Sequence, residues 1–179
     1  MLQLSDRPYS DQLAPYRYNK PEALPGIWEA QLAALAIPNT GMAVITDIGN
    51  VADIHPRNKE EIGRRLSLWA LAKTYGKGGQ EYSGPLYKAM KVQGNKAILT
   101  FDHADGLKSL DGNPLNWFTI AAEDKKFVEA NAEIVGNTVV VSCDAVAKPA
   151  AVRLGWHETA EPNLGNGAGL PASPFRSDK

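Results

Sequence analysis

The first half of the chain spaces its apolar residues for helices, with one buried strand between them. In residues 27–37 (IWEAQLAALAI) apolar side chains recur at helical spacing, and the Pro and Gly of the IPNTG segment end the helix. Residues 42–49 (MAVITDIG) form a short apolar run bounded by glycines, which predicts a buried strand with its polar end at Thr46 and Asp47. The apolar face of the helix is predicted to comprise Ile27, Leu32, Leu35 and Ala36.

A second helix follows the loop NVADIHP and has clear boundary signals. Asn58 is a favourable N-cap, Glu61 is placed to complete a capping box, and Gly76 is a natural C-terminal stop. Helix, strand, loop and helix in this order indicate one end of an α/β sheet, where functional sites favour the carboxyl edge of the strands. The apolar stripe of the second helix is predicted to be Ile62, Leu66, Trp69 and Ala70.

The second half of the chain follows a different pattern. A Gly-rich linker, residues 77–83, leads to short alternating apolar segments with no helix between them. The tetrapeptides QGNK and VGNT are predicted to be hairpin turns. Strands at this spacing predict an antiparallel β-sandwich or jelly-roll module over about residues 84–157. Residues 157–179 are rich in Gly, Pro and Asn, and are predicted to lie over a surface as an extended loop.

Composition and charge exclude several classes of partner. The formal net charge of the 179 residues is −1 and no Lys/Arg run occurs, so neither nucleic acid nor an anionic membrane is expected to bind. Apolar runs are too short for a membrane helix, and the N-terminus is too polar for a signal peptide. Cys143, the single cysteine, cannot form an internal disulfide and is predicted to be a small buried hydrophobe.

His55, in the segment ADIHP, is a candidate general base. A neutral imidazole can take the proton of a Ser hydroxyl within hydrogen-bond reach, but a base of this kind needs a nucleophile. An isolated loop His can instead simply bond a backbone carbonyl. None of the eight serines follows a strand in a glycine-flanked turn ahead of a helix; they are Ser5, Ser10, Ser67, Ser83, Ser109, Ser142, Ser173 and Ser177.

Five segments resemble the carboxyl-terminal part of the sialate O-acetylesterase family, a branch of the SGNH hydrolases. The resemblance covers most of the chain, and the DIHPRNK block is its most specific element. The matching segments are IPNTGMAVITDIG (37–49), DIHPRNKEEIGRRLSLWALAKTYG (53–76), GPLYKAMKVQGNKAILTFDHADGL (84–107), FTIAAEDKKFVEANAEIVGNTVVVS (118–142) and LPASPFRSD (170–178).

The resemblance implies a domain organisation and an activity. Residues 1–76 would form the end of an SGNH-type three-layer α/β hydrolase domain, and residues 84–179 the β-sandwich module with its tail. Members of the family remove O-acetyl groups from sugars such as 9-O-acetylated sialic acid, with a Ser nucleophile, a His base and usually an Asp. No metal or organic cofactor is expected, and the acetylated sugar is the expected partner.

The family's nucleophile has no counterpart in this sequence. It lies in a block of GQSN type near the start of the catalytic domain, and no such block occurs here. We therefore expect a preceding segment of the same enzyme to supply the Ser, and we expect the chain by itself to be inactive. A periplasmic or extracellular location is compatible with such a parent enzyme, although the compartment stays open.

Three alternatives remain for the group that orients the His55 ring. The family commonly carries an Asp three residues before the His, a position held here by Ala52, whereas Asp53 lies two residues before it. Either Asp53 orients the ring across the shorter spacing, or Asp47 does so from the strand end, or a backbone carbonyl completes a Ser–His dyad. We take Asp53 as the preferred candidate.

Other polar and aromatic residues have structural interpretations. Arg57, Arg64 and Arg65 could hold a sialate carboxylate, but ion pairs with Glu60 or Glu61 on a solvated helix face are favoured. His103 and His157 are expected to be turn or edge residues rather than metal ligands. A sugar-stacking platform is one alternative for the rings of Tyr87, Trp117 and Trp156, with core packing favoured. The competing function is therefore a non-catalytic carbohydrate-binding or structural β module.

Overall fold

A computed structural model describes residues 21–50 and 55–178. The chain divides into two compact units: Met1–Ser83 with His157–Glu161 form the first, and Gly84–Trp156 with Pro162–Lys179 form the second. No helix within the described ranges is long and apolar enough to cross a membrane. The two units differ in how much apolar side chain they bury.

The first helix begins earlier than its periodicity indicates. Helix α1 spans Ala23–Ala33 and continues as a 3-10 turn over Ala34–Ala36. Its buried residues are Leu24, Pro25 and Trp28, whereas Ile27 is 45% exposed. The predicted helix is confirmed, but the predicted face is wrong, because Leu24 and Trp28 pack with Met42 and rotate Ile27 outward.

The predicted strand over residues 42–49 does not form in the described part of the chain. Ala43, Val44, Ile45 and Thr46 are buried, as expected for a strand, but they have no regular secondary structure. A turn follows directly, with the amide of Ile48 donating to the carbonyl of Ile45 at 3.2 Å. A strand is part of a sheet, and none of the described sheets includes this segment.

The second helix has the predicted boundaries and a different buried face. Helix α2 spans Lys59–Trp69 and ends in a π-helical turn over Ala70–Thr74. The side chain of Asn58 accepts a hydrogen bond from the amide of Glu61 at 3.1 Å, and Gly76 stops the helix with a φ of 63°. The buried residues of α2 are Arg65 and Leu68, whereas Leu66 of the predicted stripe is 48% exposed.

The second unit consists of antiparallel strands. One sheet has the order β1-β2-β7-β6, another the order β10-β8-β4-β5, and a two-stranded sheet joins β3 to β9. The strands are β1 Leu86–Gln93, β2 Lys96–Asp102, β3 Lys108–Ser109, β4 Phe118–Ala121, β5 Val128–Glu129, β6 Asn131–Val135, β7 Thr138–Ser142, β8 Ala151–Leu154, β9 Leu164–Gly165 and β10 Phe175–Arg176.

Both predicted hairpin turns are confirmed. Strands β1 and β2 pair up to Gln93 opposite Lys96, with Gly94 at a φ of 62°. Strands β6 and β7 pair up to Val135 opposite Thr138, with Gly136 at a φ of 58°. Glycine suits both turns because it adopts positive φ without the steric cost that a Cβ would bring.

The two four-stranded sheets contribute to one hydrophobic core. Strands β2 and β7 bury alternate residues, Ala97, Leu99 and Phe101 on the first strand and Val139 and Val141 on the second. The other sheet supplies side chains to the same cluster, including Phe118, Ile120, Val152 and Leu154. This alternation is the period-2 pattern of half-buried strands, which is why the antiparallel module could be predicted from the sequence.

The carboxyl-terminal segment is not the surface loop that was predicted. Strands β9 and β10 lie in it, and Leu164, Asn166 and Phe175 are among its buried residues. Irregular backbone can be buried when its polar groups are paired. Here the side chain of Asn166 donates to the carbonyl of His103 and accepts from the amide of Leu170, while the amide of Ser173 donates to the carbonyl of Pro85.

We expect Phe175→Ala to destabilise the second unit by about 3–5 kcal/mol, because it deletes a buried aromatic ring. The Phe175 ring is stacked on Tyr87 at 4.3 Å between centroids and meets Phe101 edge-on at 5.8 Å. Denaturant unfolding followed by tryptophan fluorescence measures the change. Val135→Ala, at a position 56% exposed, is the control and should cost less than about 0.5 kcal/mol. Equal effects of the two substitutions would contradict the buried tail.

Candidate active-site segment

The buried segment 41–47 is fastened to helix α2 at both of its ends. Near the helix C-terminus, Gly41 lies so close to Trp69 that a Cβ on the glycine would sit 2.9 Å from that side chain. At the other end, the guanidinium of Arg65 donates to both carboxylate oxygens of Asp47, at 2.6 and 2.7 Å. The two contacts lie about one turn apart on α2, with Gly41 against Trp69 and Asp47 against Arg65.

Arg65 is the centre of this contact. Its side chain is only 5% exposed, and besides Asp47 it donates to the carbonyl of Val44 at 2.7 Å and to the carboxylate of Glu61 at 2.7 Å. The Glu61 carboxylate also accepts two hydrogen bonds from the exposed Arg64, at 2.6 and 2.7 Å. We call Asp47, Glu61, Arg64 and Arg65 the ion cluster.

The contacts within the ion cluster favour the charged forms of Glu61 and Arg65. Hydrogen bonds from Arg64 lower the pKa of Glu61 from 4.5 to about 2; its partial burial opposes this shift, and Arg65 adds to it. Burial opposes the charged form of Arg65, but the hydrogen bonds of Asp47 and Glu61 outweigh burial and raise the pKa of the guanidinium. A buried guanidinium is tolerated here because two carboxylates surround it.

His55 lies in the loop that joins segment 41–47 to helix α2. It is exposed, precedes the buried Pro56, and comes three residues before the N-cap Asn58. Because Asp47 and Glu61 both belong to the ion cluster, the loop leaves segment 41–47 and reaches α2 next to that cluster. Asp53, the predicted partner of His55, lies outside the described residues, so the pairing of His55 with Asp53 stays a prediction.

The structure gives Asp47 a different partner from the one considered for it. Both of its carboxylate oxygens accept from Arg65, so Asp47 acts as a counter-ion within the ion cluster. The ion pairs predicted for Arg64 and Arg65 are confirmed with Glu61. The predicted solvated face is right for Arg64 and wrong for Arg65, because the carboxylate of Asp47 allows that guanidinium to be buried.

Arg65 was predicted to lie on a solvated helix face, so its burial is the feature that sequence reasoning missed. Its spacing from Glu61 indicated a helix-surface pair, since residues four apart are neighbours on a helix. The signal that could have revealed its burial is its position three residues before Leu68, which is also buried and on the same face. The tie to Asp47, eighteen residues earlier, depends on tertiary structure.

Three of the described serines make hydrogen bonds within the fold. Ser67 donates to the carbonyl of Arg64, as a helical Ser commonly does, and Ser109 donates to the carboxylate of Asp111. Ser177 accepts from the amide of Val152 in the second unit. Ser5 and Ser10 lie outside the described residues.

The remaining candidate residues lie in ordinary structural settings. The ring nitrogen Nδ1 of His157 accepts from the amide of Thr159 at 3.2 Å, and His103 has a positive φ of 59° in a turn. Cys143 is partly buried against the core of the second unit. Across residues 21–50 and 55–178, no group of three His, Cys, Asp or Glu side chains is arranged to hold a metal ion.

The three rings considered as a sugar platform have different surroundings. Tyr87 is stacked on Phe175 against the core. The guanidinium of Arg176 lies over the ring of Trp156 at 5.2 Å, with that of Arg153 at 5.7 Å. Trp117 is 40% exposed. Tyr87 is therefore a core residue, as favoured. A cation–π contact explains the position of the Trp156 ring.

Comparison of this chain with known proteins indicates which family it is related to. No protein-family model matches the chain. A carbohydrate acetylesterase of Xanthomonas citri has a crystal structure that matches 84% of the chain with a TM-score of 0.80 and 46% sequence identity. The sialate O-acetylesterase of Mus musculus is 27% identical over 128 residues, 67% of the chain, and that of Homo sapiens is 34% identical over 71 residues, 37% of the chain.

The chain is related to the sialate O-acetylesterase family. The matches to the sialate O-acetylesterases and to the solved acetylesterase structure thus confirm the resemblance that the sequence segments indicated. The chain is much shorter than the proteins it matches: it spans 24% of the mouse protein, 14% of the human protein and 35% of the Xanthomonas citri chain.

We expect Asp47→Asn to lower the stability of the first unit. The substitution removes one of the two carboxylates that pair with the guanidinium of Arg65, and the guanidinium stays buried. Loss of a hydrogen bond to a charged group costs about 1.5–3 kcal/mol. Amide hydrogen exchange across helix α2 should therefore speed up by roughly 10- to 100-fold. Glu60→Gln is the matched control, since Glu60 is an exposed acidic residue in the first turn of α2. This substitution should leave amide exchange nearly unchanged. Unchanged exchange in the Asp47 variant would contradict the structural role of the ion cluster.

The depressed pKa of Glu61 predicts a pH dependence of local stability. Its folded-state pKa of about 2 lies below the ordinary value of 4.5, so its contribution is complete above about pH 4.5 and is lost as the pH falls through about 2. Wild type should therefore protect α2 from exchange better than Glu61→Gln at neutral pH, and the difference should shrink between about pH 4.5 and 2. A difference that stays constant over this interval would show that Glu61 is not the titrating group.

Proposed function

We propose that the chain is part of a carbohydrate O-acetylesterase that acts on O-acetylated sugars such as 9-O-acetylated sialic acid. The observation that carries the proposal is the likeness to the Xanthomonas citri carbohydrate acetylesterase, at 46% identity over 84% of the chain. The names of the mammalian relatives support the sialate class of substrate. An ester of a neutral or acidic sugar also suits a chain with a formal net charge of −1 and no basic run.

In this proposal residues 1–76 are the carboxyl-terminal part of an SGNH-type α/β domain, residues 77–83 are a linker, and residues 84–179 are a β-sandwich or jelly-roll module. The division of the chain between Ser83 and Gly84 supports the boundary. The burial of residues 43–46 supports their place in the interior of such a domain. The two antiparallel sheets around one core support the β module.

His55 is the proposed general base. A Ser on a segment outside this chain attacks the acetyl carbonyl carbon while His55 takes the hydroxyl proton, and the protonated ring then returns that proton to the departing sugar oxygen. Water, deprotonated by the same ring, attacks the acetyl-enzyme, releases acetate and restores the Ser hydroxyl. His55 suits this role because it is exposed in a loop whose two ends are held by the ion cluster.

Asp53 is the proposed orienting residue for the His55 ring. The engagement of both Asp47 oxygens by Arg65 makes Asp47 a poorer candidate and supports Asp53 or a backbone carbonyl. An orienting carboxylate holds the imidazole in the correct tautomer and stabilises the imidazolium that forms. The roles of His55 and Asp53 can then be separated by kinetics.

The experiment uses a chimaera in which this chain replaces the matching third of the Xanthomonas citri acetylesterase. His55→Ala should lower kcat on an acetylated sialoside by at least ~10³-fold with little change in KM, because triad members act on the transition state. His103→Asn, which keeps a residue suited to positive φ in the second unit, is the control and should keep full kcat. Asp53→Asn should lower kcat by a smaller factor than His55→Ala.

The chain alone should show no turnover of a generic acetyl ester above background, because a base without its nucleophile lacks the covalent step. Wild-type kcat in the His55 variant of an active chimaera would overturn the catalytic assignment. A folded chimaera that binds acetylated sugar without cleaving it would instead indicate the binding module.

A further inference from the structure

One side chain spans the loop that carries His55, which runs in the chain from Asp47 to the start of helix α2. The Nη1 and Nη2 atoms of Arg65 donate to the two carboxylate oxygens of Asp47, before the loop, at 2.6 and 2.7 Å. The Nε atom of the same guanidinium donates to the carboxylate of Glu61, after the loop, at 2.7 Å. A single planar group therefore sets the spacing between the residues that flank the loop.

The carboxyl end of the loop is joined to this contact over a short stretch of chain. His55 comes three residues before Asn58, whose side chain accepts a hydrogen bond from the amide of Glu61 at 3.1 Å. The residue after His55 is the buried Pro56, whose ring restricts the backbone. A change in the position of Glu61 is therefore transmitted to His55 with little slack between them.

The guanidinium of Arg65 is committed to the protein rather than available to a substrate. It makes four hydrogen bonds from five N–H donors: one to Glu61, one to the carbonyl of Val44 and two to Asp47. Its side chain is 5% exposed, so a sugar carboxylate in solution cannot replace these partners without opening the fold. Any effect of Arg65 on catalysis is therefore expected to be indirect.

The geometry of the contact requires arginine and not merely a positive charge. A guanidinium is a rigid fork that can hold a carboxylate through two parallel hydrogen bonds, whereas a lysine ammonium is a point charge on a flexible stem. Arg64 provides a comparison on the same helix. It is 48% exposed and donates twice to Glu61, so these bonds do not span the loop.

We propose that Arg65 is a positioning residue for the general base, because it holds the two ends of the loop at the spacing that places the His55 imidazole for proton transfer. The inference rests on the proposed function, in which His55 takes the proton of a Ser hydroxyl. A general base has to lie within about 2.6–3.2 Å of the group it deprotonates, and a misplacement of about 1 Å can cost about 10²-fold in rate. Loss of the Arg65 contact should therefore lower kcat and leave KM nearly unchanged.

A double-mutant cycle in the chimaera with the Xanthomonas citri acetylesterase tests this role. Arg65→Lys should lower kcat on an acetylated sialoside by about 10²-fold. In the His55→Ala background the same substitution should lower kcat by less than about 2-fold, because the group through which Arg65 acts is gone. Arg64→Lys is the matched control and should keep kcat within about 2-fold of wild type, since the Arg64 contacts do not span the loop.

Two results would overturn the inference while the proposed function stands: an equal loss of kcat from Arg65→Lys in both backgrounds, which indicates a purely structural role, or full kcat in Arg65→Lys when His55→Ala is inactive. Full kcat after His55→Ala would overturn the proposed base, and this inference with it. Circular dichroism should show that each variant is folded at the assay temperature. If Arg65→Lys unfolds, Asp47→Asn replaces it, and its smaller loss of kcat should likewise disappear in the His55→Ala background.

Discussion

The burial of one guanidinium shapes the first unit. Arg65 is 5% exposed, and a charge in that position is tolerated only where carboxylates and carbonyls surround it. Asp47 and the Val44 carbonyl supply those partners from segment 41–47, and Glu61 supplies another from the helix itself. The position of the segment against α2, and with it both ends of the loop that carries His55, follows from that requirement.

The two units reach stability by different means. The second unit is an ordinary hydrophobic assembly, in which two antiparallel sheets and a buried tail share one core. The first relies on the ion cluster and on a close approach of Gly41 to Trp69.

The sequence correctly predicted the elements that are stabilised by residues close together in the chain. Asn58 caps α2 through a bond to Glu61 three residues away, and Gly94 and Gly136 allow two hairpins by their own backbone freedom. The strand over residues 42–49 was mispredicted for the opposite reason: its apolar composition is that of a buried strand, but a strand needs a neighbour that composition does not reveal. The family resemblance, carried by the DIHPRNK block and four further segments, was also readable from the sequence.

The sequence by itself determined which segments are helical, where the hairpins turn, and that His55 stands in a loop without a recognisable nucleophile, because each of these depends on residues a few positions apart. The tertiary structure alone decided which helix face is buried, that Asp47 pairs with Arg65, and that strands β9 and β10 of the carboxyl-terminal segment are buried. These outcomes depend on contacts between residues distant in the chain, such as Phe175 with Tyr87 and Asn166 with His103. A long-range contact forms only where both partners are brought together, so no local pattern can specify it.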